Sequence, residues 1–151
     1  MGTSVASEKR RAGGDTRTAR RTFQPSPEAA SEARHFTSEV LRAWGVAAPE
    51  DAVLVAAELA TNAVRHARSA FVLSLRWHDD RVRIAVRDRD PAGPRPLEQT
   101  SAATGGRGLL IVRRLATSWG WEAVPDGKSI WATVQVPARG YAVTCVPPAI
   151  A

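Results

Sequence analysis

Cysteine, lysine and long apolar runs are scarce in this sequence. The one cysteine among 151 residues, Cys145, excludes an internal disulfide, and its place in the C-terminal tail argues against a redox or metal role. No run of eighteen apolar residues exists, so no helix is expected to cross a membrane. Residues 1–21 are basic and small but are followed by no apolar core, which is not how an export signal is built. A cytoplasmic location is the expectation. Lysine occurs only at Lys9 and Lys128, with arginine at the other basic positions, as a GC-rich coding bias would produce.

A chain of this length forms one domain and buries a core without disulfides or metals. The net charge of +6 and a pI near 10.9 suggest nucleic acid as a partner, but the position of the charge argues against it. Lys9, Arg10, Arg11, Arg17, Arg20 and Arg21 against Glu8 and Asp15 give residues 1–21 a charge of +4, leaving +2 for the rest. This leader is expected to be disordered, so that deleting residues 1–21 spares ligand binding by the rest of the chain. The tail from 138 to 151 is expected to be flexible.

What is present is concentrated in two motifs. In the first, Ala52, Val53, Val55, Ala56, Leu59, Ala60, Ala63 and Val64 recur at helical spacing and predict an amphipathic helix from about 50 to 67. Glu58, Asn62 and Arg65 share one face of that helix, four and three residues apart. A carboxylate, an amide oxygen and a guanidinium together suit a metal-bound phosphate, although a solvated helix surface carries the same residue types. In the second motif, the glycine loop Thr104-Gly105-Gly106-Arg107-Gly108-Leu109 runs straight into the apolar helix that ends near Leu115. Glycines permit a tight turn and close ligand approach, and the free N–H groups of a helix start favour an anion. No Lys-Ser or Lys-Thr follows, which excludes a Walker loop, and Ile111 stands where a dinucleotide fingerprint has its third glycine.

Together, and in this order, the motifs resemble the GHKL or Bergerat-fold ATPase superfamily, and within it the single-domain anti-sigma factor serine/threonine kinases of bacteria. Glu58-Leu59-x-x-Asn62-Ala63-x-x-His66-Ala67 is similar to the family's N box and the glycine loop to its G2 box. The resemblance runs from about residue 22 to 137, the span expected to be the ATP-binding domain. It implies an α+β fold, a two-layer sandwich with a mixed, mainly antiparallel sheet and helices on one face. It implies ATP and Mg2+ as cofactors, with Asn62 as the magnesium ligand and Glu58 as general base. Arg65, Thr104, Gly105, Gly106, Arg107, Gly108 and Leu109 would lie along the nucleotide. Asp88, at the end of the alternating run Val82–Asp88, would read the adenine amino group, although a strand-end aspartate also begins turns. The partners implied are an anti-sigma factor antagonist as phosphorylation substrate, a sigma factor, and a second copy in a homodimer.

Two departures from the family pattern keep a second function open. Asp90 replaces the first glycine of Asp-x-Gly-x-Gly, and Thr104 stands where some relatives carry a lid arginine, with Arg107 the nearest substitute. A non-catalytic ATP-binding module that sequesters a partner is therefore the alternative to a kinase. His35 lacks the acidic neighbour and proline of a phosphorylated histidine, and His66 reads as a packing or hydrogen-bonding residue, so an autophosphorylating histidine kinase is not expected.

The remaining layout follows from local signals. Residues 21–24 suggest a short edge strand. Ser26-Pro27-Glu28 suggests a helix start and Gly45 a stop, with Ala30, Ala33, Val40, Leu41 and Trp44 on the core face. Residues 70–77 and 81–88 read as one hairpin turned at His78-Asp79-Asp80, and 119–124 and 129–136 as another around Pro125-Asp126-Gly127-Lys128. Trp119, Trp121 and Trp131 are expected to pack in the core or across strands. Residues 91–104 read as a lid.

Overall fold

The computed structural model describes residues 4–8, 15–90 and 107–137. In chain order these form β1 (Ser4–Glu8), β2 (Thr16–Phe23), α1 (Ala29–Trp44), α2 (Glu50–His66), β3 (Phe71–His78), β4 (Arg81–Asp88), α3 (Arg107–Leu115), β5 (Ser118–Val124) and β6 (Gly127–Gln135). The sheet order is β1-β2-β3-β4-β6-β5, and each described pairing is antiparallel. Strand alternation turns Phe71, Leu73, Leu75, Trp77, Val82, Ile84, Val86, Ile130, Ala132 and Val134 to the buried side, against the helices. The result is the expected two-layer α+β sandwich.

The helix boundaries have local causes. α1 starts at Ala29, later than Ser26-Pro27 suggests, because Ser26 is used in a turn: its carbonyl accepts the Ala29 N–H at 3.1 Å. It ends as the sequence implies, since Gly45 takes φ 89° and Val46 N–H reaches back to the Leu41 carbonyl at 2.9 Å. Its buried face is Ala29, Ala33, Phe36, Thr37, Leu41 and Trp44, while Ala30 and Val40 are only half-buried. The buried Thr37 hydroxyl is satisfied by donating to the Ala33 carbonyl at 2.8 Å. α2 buries Ala52, Ala56, Ala60 and Ala63 beside Val55 and Leu59. These small side chains let it pack between α1, α3 and the sheet.

The leader is where the structure departs most from the sequence reading. Residues 4–8 and 16–21, read as disordered, are strand, and β2 is interior rather than an edge because β1 pairs beyond it. Arginines hide its alternation. Ala19 and Phe23 are buried, and Arg17 and Arg21 share their face half-buried, with the Arg21 guanidinium 4.8 Å from the Phe23 ring centroid. Phe23 also stacks on Phe71 at 5.4 Å, tying β2 to β3. Trp121 is a second correction, being 46% exposed on the helix side, whereas Trp119 packs against the core and Trp131, on the helix-free face, packs across strands beneath Arg83. The expected lid and tail lie outside the described residues.

Deletion of residues 1–21 is therefore expected to lower the thermal midpoint and broaden unfolding, because it removes Ala19 and most of the β2–β3 ladder; circular dichroism melts of the full and shortened chains check this. Gly45→Ala, with no atom crowding its Cβ but with φ 89°, is expected to cost about 1–2 kcal/mol in chemical denaturation.

Candidate functional site

The connection from α2 to β3 brings the two halves of the site together. Only residues 67–70 separate the helix from the strand, and Arg68 makes the turn at φ 49°. Because Val72 pairs with Arg87, the start of β3 lies beside the end of β4. Ser69 clamps this junction, its hydroxyl accepting Arg89 N–H at 3.3 Å. The C-terminal turns of α2, which carry Asn62 and Arg65, and the end of β4, which carries Asp88, therefore stand at the same end of the sandwich.

On α2, Glu58 and Asn62 are half-buried and Arg65 is exposed on the last turn. The Asn62 amide nitrogen is buried and finds no hydrogen-bond partner among the described residues. A buried amide is normally satisfied, and its oxygen and nitrogen exchange places by rotation, so this side chain is a polar group awaiting a partner. Among the described residues no three His, Cys, Asp or Glu side chains gather to hold a metal ion. Magnesium held through substrate phosphates and water needs only one or two protein oxygens, of which the Asn62 amide offers one.

Asp88 is on the helix-facing side of β4 and 3% exposed. Its Oδ1 accepts the Asp90 N–H at 2.9 Å, closing a small turn. Across the ladder, Lys128 pairs with it in register, and the ammonium, 1% exposed, lies 3.1 Å from Asp88 Oδ2 and 3.3 Å from Asp90 Oδ2. With the ammonium shared between two carboxylates, acceptor capacity remains on Asp88 for a hydrogen-bond donor. Gly127 makes the approach feasible. A Cβ there would fall 1.9 Å from the Asp88 carbonyl oxygen.

The second motif is placed only in part. Thr104, Gly105 and Gly106 lie outside the described residues. Arg107 and Gly108 open α3, and Leu109 is buried at 9%, so it is a packing residue of that helix. The far end of α3 is fixed by Thr117, whose N–H donates to the Thr133 carbonyl near the end of β6 at 2.8 Å. Lys128 is the residue the sequence reading missed. Its signal was a lone lysine in an arginine-rich domain, facing an aspartate where glycine was expected.

Residues 23–134 match the family described as the histidine kinase-like ATPase domain. Among solved structures, the chain is similar to the RsbU and RsbW domains of Rv1364c from Mycobacterium tuberculosis, with a TM-score of 0.61 and 23% identity over 81% of this chain. It covers 34% of that longer chain, so the likeness is one of fold and not of the whole protein. No curated protein matches.

Lys128→Met leaves two carboxylates around a vanished cation, and such a loss typically costs about 3–5 kcal/mol. Urea denaturation is expected to show a fall of that size. Adding Asp90→Gly to Lys128→Met should restore part of it.

Proposed function

Because the chain belongs to the family of histidine kinase-like ATPase domains, we propose that it binds ATP with magnesium and acts as a regulatory protein kinase, transferring phosphate to serine or threonine on an anti-sigma factor antagonist. The observation that carries this reading is the buried Asn62 amide nitrogen, without a partner among the described residues, at the same end of the sandwich as the acceptor Asp88. When bound, magnesium would supply charge neutralisation on the phosphates. Asn62 would hold it through the amide oxygen. Asp88 accepts a hydrogen bond from the adenine amino group, a contact that a purine carbonyl at that position cannot make. Glu58, one helical turn before Asn62, accepts the proton of the attacking hydroxyl as the oxygen–phosphorus bond forms and the terminal phosphate leaves ADP. Arg65 and the start of α3, with the glycine loop before it, would meet the phosphates.

In this role the protein would hold a sigma factor until unphosphorylated antagonist displaces it, as a homodimer in the cytoplasm. No described helix is long and apolar enough to cross a membrane. The substitution of glycine by Asp90, drawn into the Lys128 cluster, favours a second reading in which ATP only selects a partner and no transfer occurs.

Calorimetric titration with ATP and magnesium separates these readings when run beside GTP and the variants. Wild type is expected to bind ATP and not GTP, and Asn62→Ala to weaken magnesium-dependent binding at least tenfold. Glu58→Ala is expected to keep ATP affinity and lose phosphate transfer to a cognate antagonist protein. Full transfer by Glu58→Ala would remove Glu58 as the base.

A further inference from the structure

The face of the sheet that carries no helix is strongly cationic. Arg20 on β2, Arg76 on β3, and Arg83 and Arg87 on β4 all project to it, as the alternation of buried and exposed residues along these strands requires. Arg76 and Arg83 are direct cross-strand partners. Like charges placed directly opposite destabilise a sheet. Nothing described offsets them: Asp80 sits beside Arg81 at the hairpin tip, 3.7 Å away, and Glu122 is out on β5, the edge strand. Between the arginines, Thr18, Ser74 and Ala85 form a floor of small side chains, and the resulting concavity has a volume of about 460 Å³. Two further facts give it direction. Arg83 lies over the Trp131 ring, 4.2 Å from its centroid, which holds the guanidinium in place. Arg20, part of the leader expected to be disordered, is in the sheet and adds to this face.

We propose that this arginine-lined concavity is a docking site for a carboxylate-rich segment of a partner protein. Charge complementarity selects the occupant. Guanidinium forks match carboxylates bidentately, and an unpaired cross-strand arginine pair gains most from an anion set between its members. A single-stranded nucleic acid is the weaker fit, because such ligands stack their bases on open aromatic faces. Trp131 is the aromatic ring system here, and Arg83 covers one of its faces while Gly120 approaches so closely that a Cβ would stand 2.9 Å from the indole. A second copy of the chain would set arginines against arginines. The site is on the opposite side of the sheet from Asn62 and Asp88, so it stands independently of the nucleotide reading.

The test uses the full chain and a fluorescein-labelled peptide of ten glutamates, followed by fluorescence anisotropy at two salt concentrations. Binding that weakens with salt and falls at least tenfold in Arg76→Gln/Arg83→Gln, but less than threefold in the charge-matched α1 control Arg34→Gln/Arg42→Gln, is the expected result. Arg76→Glu is expected to raise the thermal midpoint while abolishing peptide binding, a combination that a purely structural arginine would not give. Equal loss in both double variants, or no peptide binding to wild type, overturns the proposal. So does tighter binding of a ten-nucleotide oligo-dT than of the peptide, or a dimer in sedimentation that Arg76→Glu dissolves. ATP titration of the same variants, expected to match wild type, keeps a failure here separate from a failure of the kinase reading.

Discussion

The structure depends on α2 lying buried between α1, α3 and the sheet while its polar side chains stay at the surface of that contact. Alanines make this possible. With Ala52, Ala56, Ala60 and Ala63 on the buried face, the helix backbone comes close to its neighbours, and Val55 and Leu59 fill what space remains. Glu58 and Asn62 then stand at the rim, neither in the core nor in bulk water. Larger residues at the alanine positions would push the helix outward and turn the half-buried amide of Asn62 into an ordinary solvated one.

The same economy of space governs the other half of the site. Gly127 lies against the Asp88 carbonyl, and this closeness puts Lys128 within reach of two carboxylates. A buried ion cluster of this kind contributes less to stability than to position, since its Coulomb energy is largely spent on desolvation. Its effect is geometric. It fixes the Asp88 carboxylate from one side by Lys128 and from another by the Asp90 N–H, so the aspartate enters any encounter already oriented. The glycine expected at position 90 is replaced by a residue that the cluster absorbs.

The two faces of the sheet divide the work. One carries the helices and the buried acceptors. The other carries arginines set opposite one another across the β3–β4 ladder and a tryptophan with one of them over its ring. A sheet optimised for stability alone would place opposite charges across from one another, so the Arg76–Arg83 register leaves a stability gain untaken.

The sequence by itself determined α2 to within a residue, the β3–β4 and β5–β6 hairpins, the glycine stop after α1 and the helix after the glycine loop. Each rests on neighbours in the chain: helical spacing of alanine, valine and leucine, the Pro125-Asp126-Gly127 turn, and the left-handed geometry that Gly45 adopts at low cost. It also singled out Glu58, Asn62 and Asp88, because polar residues at otherwise apolar or strand-end positions stand out locally. Only the tertiary structure decided that residues 16–21 form an interior strand, since the shared face of Arg17, Ala19, Arg21 and Phe23 has meaning only once β2 is paired with β1 and β3. Only it showed that Lys128 meets Asp88 and Asp90 from forty and thirty-eight residues away, and that Arg76 meets Arg83. Pairings across strands carry no local signature, because register is set by the collective burial of a whole face and not by the residues that happen to be brought opposite.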